Sequence, residues 1–343
     1  MKEKNILVVA VLGIVLACGL YFAFSTRSER SFKNGEVNVL NWTSYIPDDV
    51  ISDFEKEFGI RVNYGTYSSN EELLAKLSSS NEGAYDLVFP SDYMVELLIQ
   101  RGMLEKMDKE RLRNFSNIDS LFLNQDYDSS NEYSLPFLLA YAELIYDASK
   151  IRKPISSYRD LINKDYRNNI ILINDQRIII GSALLATGAE MNSVKDEELE
   201  MALKFFEELK PNIKAFDSDS PKTFLITKEA EIGLIWNAEA TLAKNENPNL
   251  KTVFPKEGFA ISMDNYCIPK NSKNRANAYR LIDFLLREDI SARIVEEYPY
   301  ISPNNGLISE NEAEIQEILE NGSYVENVGV DIKKLDRLWA RFK

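Results

Sequence analysis

Apolar and polar positions alternate along the first third of the chain in a way that predicts strands separated by helices. Residues 37–40 form a short apolar run, and apolar side chains at 60, 62 and 64 alternate with polar ones, as in a strand. Between these segments, a helix capped by Asp48 or Asp49 is expected to end at Gly59. A second helix and a buried strand then follow, over residues 71–77 and 85–89.

The same alternation returns later and predicts a second α/β unit. The predicted elements are strands over 170–173 and 232–236 and helices over 196–210, 277–287 and about 332–341. Such alternation is typical of a mostly parallel sheet covered by helices, in which ligands bind where the carboxyl ends of strands meet loops. We therefore predict an α/β protein of two lobes, with loops 41–45 and 90–93 at the binding edge.

Composition narrows the class of ligand. The chain has 343 residues, of which 45% are hydrophobic, so that each lobe can bury a core. Its net charge is −14, and no long basic run follows the N-terminus, which argues against a nucleic-acid partner. A negative field favours cationic ligands, although acidity also serves solubility alone.

The absence of histidine narrows the chemistry further. Serine and cysteine nucleophiles activated by histidine are excluded, as are zinc sites that contain histidine. The carboxylates show no spacing that singles out an acid/base pair, and no glycine-rich phosphate loop is present. These absences make a hydrolase or transferase less expected, and we predict no catalytic residues, metal or cofactor.

The N-terminus reads as a secretory leader. Lys2 and Lys4 precede an apolar stretch over residues 6–24, and residues 15–18 resemble a bacterial lipobox that ends in Cys18. We predict a signal peptide over 1–17, acylation of Cys18 and a tether over 18–35. An uncleaved anchor is the alternative, because about 20 apolar residues can span a bilayer. Either route gives a periplasmic, membrane-anchored protein. The other cysteine, Cys267, is predicted to be a small buried strand residue.

Several segments carry a resemblance to a known family. They are residues 41–47 (NWTSYIP), 83–91 (GAYDLVFPS), 234–237 (LIWN), 254–258 (FPKEG), and 277–287 followed by 302–304. In order and spacing, from Glu36 to the C-terminus, the chain resembles bacterial spermidine/putrescine-binding proteins of polyamine ABC transporters. The resemblance implies a two-lobed periplasmic-binding-protein fold, with each sheet mixed, mostly parallel and flanked by helices. It also implies an N-lobe of 36–141 plus 265–308 and a C-lobe of 142–264 plus 309–343.

The resemblance further implies a cleft where aromatic faces and carboxylates hold a polyamine. The positions that match are Trp42, Thr43, Tyr45, Ser91, Tyr93, Asp175, Trp236, Asp264 and Tyr300, and Glu239 lies where putrescine-type relatives carry an aspartate. On the residues alone, a tryptophan at a strand end more often belongs to the core or rim than to a surface that stacks on ligand. Asp175 and Asp264 suit loop caps, and Glu239 suits a solvated acid in the first turn of a helix. The implied partners are a polyamine and the permease subunits of the transporter, with the binding protein a monomer.

The chain also departs from that family at four cleft positions. Ser44 and Ile178 replace acids, Ser262 replaces a tryptophan, and Val325 falls near a family glutamine. Because a third ligand amine would lack a carboxylate, we predict that putrescine binds at least as well as spermidine. Two alternatives stay open: another amine or an amino acid as the ligand, and a sensor or adhesion lipoprotein with altered or lost polyamine binding.

Overall fold

The computed structural model describes residues 32–308 and 312–343. The predicted signal peptide and Cys18 lie outside the described residues. Within the described part, no helix is both long and apolar enough to cross a membrane. Just before β1, Asn34 donates a backbone hydrogen bond to Gly59, and the carbonyl of Gly35 accepts one from Arg61.

Strands and helices alternate along the described chain. The strands are β1 (Glu36–Trp42), β2 (Arg61–Tyr67), β3 (Leu87–Val88), β4 (Ser134–Asp147), β5 (Ile170–Leu172), β6 (Ile213–Phe216), β7 (Ile232–Trp236), β8 (Leu250–Val253), β9 (Phe259–Cys267) and β10 (Gly322–Tyr324). The helices are α1 (Asp48–Phe58), α2 (Asn70–Ser79), α3 (Asp92–Gln100), α4 (Gln176–Thr187), α5 (Asp196–Leu209), α6 (Lys222–Ile226), α7 (Asn237–Glu246), α8 (Arg275–Leu285), α9 (Glu288–Glu297), α10 (Asn305–Ile308), α11 (Glu312–Asn321) and α12 (Ile332–Phe342).

The strands form a mixed sheet in the order β2-β1-β3-β9-β4-β7-β5-β6, with β10 on β9 and β8 on β4. The β1–β2, β1–β3, β5–β6, β5–β7 and β9–β10 pairs are parallel, whereas β3–β9 and all the β4 pairs are antiparallel. β4 pairs with β9 up to Tyr141 and with β7 from Ala142, so it carries the chain from one half of the sheet to the other. The predicted α/β class with mixed sheets is confirmed, and the lobe boundaries stay a prediction.

Helices α1 and α5 illustrate how local sequence sets the elements. α1 buries Val50 and Phe54 and ends at Gly59, whose φ of 63° suits glycine. The predicted cap was wrong: Pro47 is the N-cap, because the turn starts one residue earlier, and both aspartates lie in the first turn near the positive helix end. α5 also opens with acids, buries its apolar face and ends just before Pro211, as predicted.

Apolar side chains from the sheet and the helices fill cores on both halves of the sheet. On the β1 side, Phe54 of α1 packs edge-on against Phe284 of α8, with ring centroids 5.5 Å apart. On the β5 side, Phe206 of α5 stacks on Phe342 of α12 at 3.8 Å. Cys267 is buried at the end of β9, which confirms it as a buried strand residue. These cores hold the strand ends that border the cleft.

Candidate binding site

A cleft lies where β1, β3, β5 and β7 end. All the side chains predicted to bind ligand line it: Trp42, Thr43, Tyr45, Ser91, Tyr93, Asp175, Trp236, Glu239, Asp264 and Tyr300. Ser44, Ile178, Ser262 and Val325, the positions of departure, line it as well. The structure therefore brings together residues from widely separated parts of the chain, and their roles in binding stay predictions.

The loop after β1 supplies an aromatic wall. The indole Nε1 of Trp42 donates to the carbonyl of Phe89, 3.0 Å away, and the Trp42 ring lies 4.6 Å from that of Tyr67. Ser44 adopts a left-handed backbone with φ of 56°, an uncommon conformation for serine, at the turn between Trp42 and Tyr45. The Tyr45 ring lies 4.9 Å from that of Tyr300. The wall is thus fixed by hydrogen bonding and ring packing.

Asp264 is the most enclosed carboxylate of the cleft. Only 3% of the residue is exposed. Ser91 Oγ donates to one carboxylate oxygen at 2.6 Å, and the Tyr45 hydroxyl donates to the other at 2.7 Å. No lysine or arginine among the described residues forms an ion pair with Asp264. Burial raises the pKa of this carboxyl to about 7, although hydrogen bonds from Ser91, Tyr45 and Trp42 oppose the rise.

Ser91 and Tyr93 stand at the start of α3 and are held by α2 residues. Ser91 occupies the N-cap position, but its hydroxyl donates to Asp264 and does not cap the helix. The Asn70 amide holds Ser91 from both sides, donating to its Oγ at 3.1 Å and accepting from its backbone N–H at 3.2 Å. The Tyr93 hydroxyl donates to Glu71 at 3.0 Å. Both side chains are therefore oriented before any ligand arrives.

Asp175 combines a capping role with a place on the cleft wall. It is the N-cap of α4, and its Oδ1 accepts from the backbone N–H groups of Arg177 and Ile178 at 2.8 and 3.0 Å. The capping alternative therefore describes what this oxygen does. Burial, together with the negative charge of Glu71, raises the pKa of Asp175 to about 6. The acid is ionised for the most part at neutral pH.

Arg177 is a cleft residue that the sequence reasoning missed. It is 6% exposed and lines the cleft, with its guanidinium 5.3 Å from the centre of the Tyr93 ring. One terminal nitrogen donates to the carbonyl of Glu326 at 2.8 Å and to Asn192 at 3.3 Å. A single charge at the start of an otherwise apolar helix was the available signal. Arg177 adds a positive charge to a wall rich in acids.

Glu239 lies in the first turn of α7 but is not solvated. Its Oε1 accepts from Nζ of Lys222, 2.6 Å away, and 13% of the Glu239 side chain and 27% of the Lys222 side chain are exposed. The other oxygen, Oε2, is buried and has no hydrogen-bond partner among the described residues. Lys222 is the second charged residue that sequence reasoning missed, because nothing in the pattern links position 222 to position 239.

Trp236 and Tyr300 complete the aromatic lining. Trp236 is the last residue of β7 and pairs with Ala142 of β4, at the point where β4 passes between the two halves of the sheet. Tyr300 follows α9 and faces Tyr45. Aromatic faces combined with Asp264, which has no cationic partner among the described residues, suit a cation that also carries apolar surface.

Comparisons with known proteins agree with this geometry. Residues 49–319 match the family described as bacterial extracellular solute-binding protein. The spermidine/putrescine-binding periplasmic protein of Salmonella typhimurium is 38% identical over 291 residues, which cover 84% of this chain and 83% of that protein.

Two solved structures have the same fold over most of this chain. The spermidine/putrescine ABC transporter substrate-binding protein PotD of Streptococcus pneumoniae superposes with a TM-score of 0.76 at 28% identity, covering 90% of this chain and 98% of that one. The TpPotD lipoprotein of Treponema pallidum superposes with a TM-score of 0.80 at 25% identity, covering 90% and 99%. These likenesses confirm the predicted periplasmic-binding-protein fold.

Proposed function

Because the chain belongs to the family of bacterial extracellular solute-binding proteins, we propose that it is the polyamine-binding component of an ABC transporter. It captures an elongated organic cation in the cleft and delivers it to the permease subunits. It acts as a binding protein and not as an enzyme, like the relatives whose names describe binding and transport.

The main support for this proposal is the environment of Asp264. The carboxylate is buried and accepts hydrogen bonds from the neutral hydroxyl groups of Ser91 and Tyr45, and no lysine or arginine of the described residues forms an ion pair with it. An ammonium group 4 Å from a carboxylate gains about 4 kcal/mol at an effective dielectric constant of 20, before desolvation is counted. Asp264 is therefore a carboxylate placed to receive a cation from the ligand.

The aromatic side chains support an amine that carries methylene groups. Trp42, Tyr45, Trp236 and Tyr300 line the same cleft as Asp264. An ammonium over an aromatic face gains about 0.5 to 2 kcal/mol, and the methylene groups between amines gain from leaving water. A polyamine has both kinds of surface along its length, whereas an inorganic cation lacks the second.

Calorimetric titration of putrescine and spermidine into the purified protein is the direct test. We expect at least one of them to bind, and at 100 times its dissociation constant to stabilise the fold by about 2.7 kcal/mol in a melting assay. Lysine belongs in the same panel, because Arg177 offers a positive charge to a ligand carboxylate. Binding of lysine alone would favour the amino-acid alternative, and binding of none would favour a sensor or adhesion lipoprotein.

Membrane attachment through Cys18 is the second part of the proposal. The basic and apolar leader supports it, as does the likeness to a Treponema pallidum lipoprotein. Labelling with radioactive palmitate should mark the wild type and leave Cys18→Ala unlabelled. Equal labelling of both, or of neither, would contradict acylation at this cysteine.

A further inference from the structure

We propose that Lys222 is a specificity-determining residue. Its ammonium group pairs with the Glu239 carboxylate in place of a ligand amine, so that the remaining negative charge of the cleft balances a ligand with two positive charges. This inference rests on the proposed function, because it concerns which amine the same cleft prefers. The sequence alone predicted that Glu239 either binds the ligand or is solvated, and neither prediction included a lysine partner. The lysine comes from this chain and acts as a resident cation.

The geometry of the pair supports this role. Lys222 opens α6 and Glu239 lies in the first turn of α7, so two neighbouring helices bring them together. Their charged atoms are 2.6 Å apart, and both side chains are less than one-third exposed. Water and salt therefore screen this pair less than the exposed ion pairs of the surface.

A count of formal charges gives the same conclusion. Of the charged residues that line the cleft, four are acids, Asp175, Asp219, Glu239 and Asp264, and one is Arg177. Their formal charge is −3, and Lys222 on Glu239 reduces it to −2. A diamine with two ammonium groups balances that charge, and a triamine exceeds it by one. Removal of Lys222 leaves the negative charge of Glu239 uncompensated beside the ligand, and this change does not depend on acids farther from the cleft.

Lys222 pairs with only one of the two carboxylate oxygens of Glu239. Oε2 is buried without a hydrogen-bond partner in the described part of the chain, while Oε1 is occupied by Lys222. Glu239 also lies near the positive amino end of α7. Without the lysine, both oxygens would need a partner, and the third amine of a triamine has the chemistry to supply one.

Calorimetric titration of putrescine and spermidine into four proteins tests the inference. The proteins are the wild type, Lys222→Met, Lys222→Arg and Lys222→Met combined with Glu239→Gln. We expect Lys222→Met to raise the affinity for spermidine relative to putrescine about tenfold. Lys222→Arg keeps the cation and should keep the wild-type ratio. The double variant removes the freed carboxylate and should lose the gain.

The outcomes separate this inference from the proposed function. If both amines bind and Lys222→Met leaves their ratio unchanged, the role of Lys222 is overturned and polyamine binding stands. If neither amine binds the wild type or any variant, the proposed function is overturned, and this inference falls with it. A general structural effect of the lysine would change both affinities in parallel and leave the ratio unchanged, which also contradicts the inference.

Discussion

Two carboxylates of one cleft are satisfied in different ways. Asp264 on β9 accepts hydrogen bonds from the neutral hydroxyl groups of Ser91 and Tyr45. Glu239 on α7 has a lysine within 2.6 Å. Asp264 has no lysine or arginine partner among the described residues, and burial raises its pKa to about 7. The second acid already has its cation.

This difference separates two tasks that carboxylates perform in a binding site. A buried acid without a cation makes the empty site electrostatically costly and so favours occupation by a charged ligand. An acid with a resident lysine adds little attraction for the ligand, but it sets how many positive charges the site accepts. Affinity is therefore expected to depend mainly on Asp264, and selectivity on the Lys222–Glu239 pair.

The largest expected effect is that of Asp264→Asn. This substitution removes the negative charge that receives the ligand ammonium, and it should weaken putrescine and spermidine binding by about 100-fold or more in calorimetric titrations. Asp126→Asn is a matched control, since Asp126 is exposed and does not line the cleft. Affinities within threefold of wild type for Asp264→Asn would mean that the ligand amines bind elsewhere.

The same variant should be more stable without ligand above pH 7. The pKa of Asp264 is raised in the folded protein above its ordinary value near 4, so the folded state binds more protons between those values and loses stability as pH rises through them. Asparagine avoids this loss, which we expect to be on the order of 4 kcal/mol at pH 8. Thermal melts of ligand-free protein at pH 5 and pH 8 would measure it. A wild-type protein that loses no stability relative to the variant would contradict the raised pKa.

Ligand affinity should fall as pH falls, through protonation of Asp264. Ligand amines stay charged below pH 8, whereas a carboxyl with a pKa of about 7 is largely protonated at pH 6. The dissociation constant for putrescine should therefore rise about tenfold from pH 8 to pH 6, with protons released on binding near pH 7. Asp175, with a pKa of about 6, acts in the same direction. Titrations in buffers of different ionisation enthalpy measure the released protons, and a flat profile would contradict the prediction.

The smallest of these effects is expected for Glu239→Gln. It removes an acid that Lys222 already neutralises, and it leaves the lysine unpaired beside the cleft. Putrescine affinity should fall only about threefold to fivefold, because Lys222 already neutralises the acid and the lysine left behind is the more exposed partner of the pair. Adding Lys222→Met should recover part of that loss in the same titration. A loss as large as that of Asp264→Asn would remove the contrast between the two acids.

From the sequence we predicted amphipathic helices such as α1 and α5 and the short buried strands β5 and β7, whereas the long buried strand β4, most of β9 and helix α4 were missed. α1 and α5 have one apolar face and clear ends, so their patterns were readable. β4 and β9 are buried along their whole length, and α4 is buried on most sides. Continuous burial removes the alternation on which such predictions depend. These missed elements include the strand that joins the two halves of the sheet.

The resemblance predicted the lining of the site well, but it did not predict the two charged residues Arg177 and Lys222. All the positions that resemblance proposed line the cleft, which spacing alone could not have brought together. Arg177 was hidden in an apolar run, and Lys222 stands in a helix of only five residues. Pairing between Lys222 and Glu239 depends on how α6 packs on α7. Such contacts have no signature in a single sequence.

The pairing of β3 with β9 also bears on how the protein is made. Val88 pairs with Cys267, more than half the chain length away, so the first half of the sheet cannot be completed until most of the chain has been synthesised. Long-range strand pairing slows folding. Until β9 has been synthesised, β3 has its native partner on one side only. That delay suits a polypeptide whose predicted leader directs it through a narrow translocation channel before its sheet can close.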